Sequence, residues 1–215
     1  MQPQYIPELI TRAKTIFGNH LERFVEVTLG GGTKEIPART AIRLYTAAIA
    51  VNFTDWMGKT FPWVCSNEAA SALQENMQCE QEDDHVGMLI AFAGSVHCLP
   101  EECDYAIVAK DVSRIRDRMR NTDTAGLCGL VLMTILENLS ELFIPVLERV
   151  AINIGTPDLT YTKAHGAADI AHSAAFTAAL ECEFATGKYQ GADHLIADTT
   201  ELTLNLLRTI FWIRA

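Results

Sequence analysis

Positive charge is scarce in this chain, and so are the patterns that mark nucleic-acid, membrane or secreted proteins. Seventeen Lys and Arg stand against 27 Asp and Glu, for a net charge of −10. Phosphate backbones repel such a chain, so nucleic acid is not an expected partner. No basic amphipathic segment occurs. The longest apolar run, Gly129 to Ile135, is far too short to span a bilayer, and no membrane partner is expected. The first residues, Met1 to Lys14, carry no apolar h-region, so no secretory signal is expected and the reading is cytoplasmic. The cysteines at 65, 79, 98, 103, 128 and 182 include no C-x-x-C pair. Most of them read as small buried hydrophobes rather than as a disulfide framework. Alternating β-branched residues are scarce, and no repeat, low-complexity tract or shift in composition divides the 215 residues, which are read as a single α-helical domain, 1–215.

What the chain has is apolar content, 49% of residues, at helical spacing. Ile6, Leu9, Ile10, Ala13, Phe17, Leu21 and Phe24 line one face of a first helix from Tyr5 to Val27, ended by Gly30, Gly31 and Gly32. Breakers and caps then predict helices over about 37–57, 66–98, 100–120, 124–153, 158–186 and 192–213. The expected fold class is all-α: seven helices in one bundle, with essentially no sheet.

Chemistry concentrates on the sixth helix. His165, Asp169 and His172 stand at i, i+4 and i+7, on one face, among Ala164, Gly166, Ala167, Ala168 and Ala171. Burying two imidazoles and a carboxylate costs several kcal/mol unless something satisfies them, and a metal ion satisfies all three. A plain hydrogen-bond network is the alternative. On the third helix Glu82 and His85 stand at i, i+3 and share a face. They sit in an acidic run, Glu80 to Asp84, that would ordinarily be solvated, but Val86, Met88, Leu89 and Ile90 continue it with apolar residues. On the fifth helix Glu137 lies on a more apolar face than Glu141, which leaves Glu141 peripheral. Whether Glu80 or Glu141 assists stays open.

The metal set expected is therefore Glu82, His85, Glu137, His165, Asp169 and His172. Mixed N/O ligation in a bundle suits iron or manganese rather than a thiolate-seeking metal. Two divalent ions would be nearly neutralised by the three carboxylates, and six ligands exceed what one zinc needs. A ferritin-like arrangement would draw a further Glu from the first helix, Glu22 or Glu26, and would leave His165 surplus.

The order Glu-x-x-His, lone Glu, His-x3-Asp-x2-His resembles the haem-oxygenase-like diiron oxidases and oxygenases. That resemblance implies a seven-helix haem-oxygenase-like bundle and a non-haem site of two Fe, with O2 as co-substrate. It also implies oxidation of an amino-acid-like small molecule in a biosynthetic pathway. Within the family the chain looks most similar to nitrile-forming members that convert a brominated L-tryptophan to an indole-3-carbonitrile. The stretch from Asn52 to Trp63 would suit an indole, with Phe53 and Trp56 against the ring and Lys59 on the substrate carboxylate; ordinary packing is the competing reading. Other readings are a haem protein using His20, a thiamin-salvage hydrolase using Cys79 or Cys128, and a non-catalytic helical interaction protein. A homodimer is the assembly such helix surfaces suit.

Overall fold

The computed structural model describes residues 5–30 and 35–212, without the side chains of 167–169. Gly31, Gly32 and the side chain of Asp169 lie outside the described residues. Among those described there is no strand, and nine helices form rather than seven: α1 (Tyr5–Leu29), α2 (Glu35–Ile49), α3 (Phe53–Thr60), α4 (Asn67–Glu82), α5 (His85–Ser95), α6 (Glu102–Arg118), α7 (Ala125–Asn153), α8 (Thr160–Ala185) and α9 (Ala192–Ile210).

The two extra helices come from two breaks with local causes. The helix expected over 37–57 stops at Ile49 because Asn52 turns its amide back onto the Ala48 carbonyl, 2.8 Å, while Arg116 donates to its Oδ1 at 2.7 Å. Asn side chains compete with the helical ladder in this way. The helix expected over 66–98 breaks at Asp84, which adopts a left-handed conformation (φ 48°) and caps α5 by accepting from the Gly87 N–H at 3.1 Å. A Cβ on Gly87 would lie 2.1 Å from the Asp84 carboxylate, so that close cap requires glycine.

Helix α7 is the centre. It packs against α8, α9, α1 and α3, and its apolar residues are buried on nearly every side. By length and composition it could cross a membrane, although no uninterrupted apolar run reaches that length; 83% of its most apolar window is buried inside the bundle, as a central helix requires. Gly129 lets α3 approach, since a Cβ there would fall 1.8 Å from Thr60 Oγ1.

Helices α4 and α8 also pack together. At one end Ser66 caps α4, accepting from Ala69 N–H, and the same segment closes on Glu183 near the end of α8. Glu183 is fully buried. It accepts from Cys65 N–H (2.8 and 2.9 Å to its two oxygens), Ser66 N–H (2.7 Å), Ser66 Oγ–H (2.9 Å) and Tyr189 O–H. Burial pushes its pKa up, but these donors outweigh burial and hold it below the ordinary carboxylate value. The clamp fixes the register of α8 on α4. The other end of α4 then lies beside the histidines of α8.

Candidate metal centre

The break at Asp84 decides which carboxylate meets His85. Within one continuous helix Glu82 and His85 would share a face. With the turn between them, Glu82 ends α4 on the exposed side and takes a hydrogen bond from Gln78 Nε2 at 2.7 Å. Glu80, one half-turn earlier, is buried and places Oε1 2.8 Å from His85 Nδ1. The structure therefore does not bring Glu82 to the cluster, and it brings Glu80 instead.

His85 is 3% exposed at the first position of α5, and its ring lies 4.6 Å from that of His165 on α8. Ligand atoms of Glu80, His85 and His165 all fall within 4.8 Å of one another. From α7, Glu137 points into the same interior. Its Oε2 faces His172 Nδ1 at 3.9 Å, and Asn76 Nδ2 donates to its Oε1 at 3.4 Å. Helices α4, α5, α7 and α8 thus each contribute, and Asp169 belongs to the same helix α8 as the two histidines. Glu141 is half-exposed, bound by Lys14 at 2.9 Å and by Ser173, and stays outside.

Burial keeps the His165 and His172 imidazoles neutral. Burial lowers His165 to about 4; the Glu80 carboxylate acts against that shift and His85 adds to it. Burial likewise lowers His172. Neutral imidazole is the form that ligates metals. His165 Nδ1 lies 3.2 Å from the Tyr161 carbonyl, which fixes its ring. No Lys or Arg of the described residues pairs with Glu80.

Glu80, His85, Glu137 and His165, but not His172, border a cavity of about 40 Å³, lined on its other sides by Ile49, Phe53, Leu89, Leu136 and Phe143. That is room for ions or a few water molecules. Tyr45 and Tyr161 join hydroxyls across it at 2.6 Å. Sequence periodicity offered no signal for this tyrosine pair or for Asn76, because a buried tyrosine or asparagine reads like any other core position.

The aromatic stretch divides. Phe53 lines the cavity. Trp56 is wholly buried but does not line it, and Lys59 is half-exposed and ion-paired with Asp55 at 2.6 Å, so neither is brought to the site. Glu22 and Glu26 are exposed on α1, so no first-helix carboxylate joins the cluster. His20 Nε2 is engaged with the Phe211 carbonyl at 2.8 Å. Burial and the neighbouring carboxylates push the Cys79 thiol up, and burial pushes Cys128 up, so neither is poised as a nucleophile.

The chain matches no protein-family model, no curated protein and no solved structure. Function is therefore read from the residues themselves.

Proposed function

We propose that the chain is a non-haem diiron enzyme that uses O2 to oxidise an amino-acid-like small molecule. One observation carries the reading: buried carboxylates and imidazoles from four helices converge on one interior cavity. The donor set fits the metal. Glu80, Glu137, His85, His165 and His172, with Asp169 on the same helix, supply oxygen and nitrogen ligands without thiolate, the set that suits iron or manganese. When bound, two iron ions would supply the electrons and the Lewis acidity for O2 chemistry.

The chain's own residues do the rest. Asn76 orients Glu137, the Tyr161 carbonyl orients His165, and Glu80 holds the His85 ring. Leu89, Leu136 and Phe143 keep bulk water out. Phe53 presents the one aromatic surface of the former indole stretch that reaches the cavity, so an apolar side chain on the substrate fits best. Positioning of the substrate beside the metals is the protein's main contribution. A cavity of about 40 Å³ must widen before such a molecule enters.

The test is oxygen uptake. Protein loaded anaerobically with Fe(II) is mixed with O2 and, separately, L-tryptophan, 5,7-dibromo-L-tryptophan and an aliphatic amino acid. O2 consumption coupled to loss of one amino acid supports the reading, and an indole-3-carbonitrile among the products would make it nitrile formation. A chain that binds iron yet never couples O2 uptake to any of these loses the enzymatic part of the proposal.

A further inference from the structure

A second ligand group lies on the solvent side of His85. Cys79 and Asp83 stand at i, i+4 on the last turn of α4, and the left-handed turn at Asp84 swings His85 back over them. One ligand atom from each lies within 4.8 Å of the other two. Cys79 Sγ is 3.6 Å from Asp83 Oδ2, which is 3.8 Å from His85 Nε2. A tetrahedral zinc, with Zn–S about 2.3 Å and Zn–N or Zn–O about 2.0–2.1 Å, sets its ligand atoms roughly 3.3–3.5 Å apart. Two of the three separations are therefore within a few tenths of an ångström of that range, and Cys79 and His85 lie within 4.8 Å of each other.

Two independent features favour a cation there. Glu80 contacts the opposite nitrogen of His85, Nδ1, at 2.8 Å, the carboxylate–imidazole arrangement that orients a metal-binding histidine. In addition, Glu80, Glu82, Asp83 and Asp84 crowd the C-terminus of α4, where the helix dipole already disfavours negative charge. No Lys or Arg among the described residues forms an ion pair with any of the four.

We propose that Cys79, Asp83 and His85 form a second site for one thiophilic divalent cation of the zinc class, with water as the fourth ligand; His85 serves it through Nε2, while its Nδ1 faces Glu80 and the core set. Thiolate is what separates it from the N/O set of the cavity. Asp83 is 59% exposed and His85 is buried, so an ion reaches this site from solvent without passing through the core. The site shares the His85 ring with the core centre but does not require that centre to be a diiron one.

Co2+ is the probe, because cobalt bound to thiolate gives a sulfur-to-metal charge-transfer band that oxygen and nitrogen ligands do not. Chelator-treated full-length protein is titrated with Co2+, and Zn2+ is then added. We expect the thiolate band at one Co2+ per chain, erased by Zn2+. Cys79→Ser removes it, and Asp83→Asn shifts its midpoint at least about 10-fold, the low end of what even outer-sphere partners cost. Cys65→Ser, Cys103→Ser and Glu137→Gln leave it in place. Circular dichroism checks that each variant is folded. No band in the wild type at saturating Co2+, a band that survives Cys79→Ser, or a band lost in Glu137→Gln overturns the proposal.

Discussion

Helix α8 carries polar groups to two interior places that differ in what surrounds them. At its C-terminal end Glu183 is enclosed by backbone N–H groups and hydroxyls, all of them donors, and they satisfy both oxygens. In its N-terminal half His165 and His172 face Glu80, His85 and Glu137, which are groups with lone pairs to offer a metal. Both places bury carboxylate, so burial does not distinguish them. The partner inventory does: a carboxylate ringed by donors is finished as structure, whereas carboxylates set among imidazoles form a set of ligands. The first place should govern stability and the second metal binding.

The largest effect should come from Glu183→Ala. It leaves the part-buried Cys65 and Ser66 N–H groups without an acceptor and the Tyr189 hydroxyl with only the Trp63 carbonyl as an oxygen acceptor, at roughly 1–3 kcal/mol for each unsatisfied group, so a loss of about 2–4 kcal/mol is expected in urea unfolding of the metal-free protein. Glu137→Gln, which keeps shape, should change that stability by less than about 1 kcal/mol. If the two variants lose equal stability, the distinction fails.

Next in size is stabilisation by the metal. Fe(II) at 100 times its dissociation constant should add about 2.7 kcal/mol to wild type. The gain should persist in a Glu183→Gln protein that remains folded and vanish in Glu137→Gln and His165→Ala. Equal stabilisation of wild type and His165→Ala would place the metal elsewhere.

Asn76→Ala sharpens the comparison further. Asn76 touches the centre only through Glu137, so iron affinity should fall about 10–100-fold while stoichiometry at saturation holds. Unchanged affinity would remove Asn76 from the site.

The smallest effect is the pH dependence of the clamp. Glu183 is held below its ordinary value of 4.5, so the unfolded chain binds more protons there than the folded one. Its contribution is fully present above that value and is lost as pH falls through the folded pKa. Unfolding of metal-free Glu183→Gln should therefore depend less on pH below about 4.5 than wild type does. Parallel curves would show that the hydrogen bonds do not favour the ionised form.

Much of this was legible in the chain before folding. Apolar spacing marked the helical class, Ser66 marked the start of α4, and i, i+4, i+7 spacing put His165 and His172 on one face. The apolar surroundings of Glu137 separated it from Glu141, which the structure leaves half-exposed on Lys14. What misled was continuity. A residue count assumes an unbroken helix, and one left-handed residue at Asp84 exchanges Glu82 for Glu80. Asp commonly caps helices, yet in a run of four acids nothing in spacing says which one turns. Lys59 failed for another reason: an aspartate one turn earlier claims it at the surface, and spacing cannot rank a local ion pair against a distant pocket. Glu183 escaped notice because most of its donors, from Cys65 and Ser66, lie in a loop more than a hundred residues away.

The exchange at Asp84 also supplies the most direct measurement. Wild type, Glu80→Gln and Glu82→Gln are loaded anaerobically with Fe(II), desalted and analysed for iron per chain. A core diiron centre built on Glu80 predicts about two iron ions in wild type and in Glu82→Gln, and a clear loss in Glu80→Gln. Iron-free wild type, or iron lost in Glu82→Gln and kept in Glu80→Gln, would contradict it.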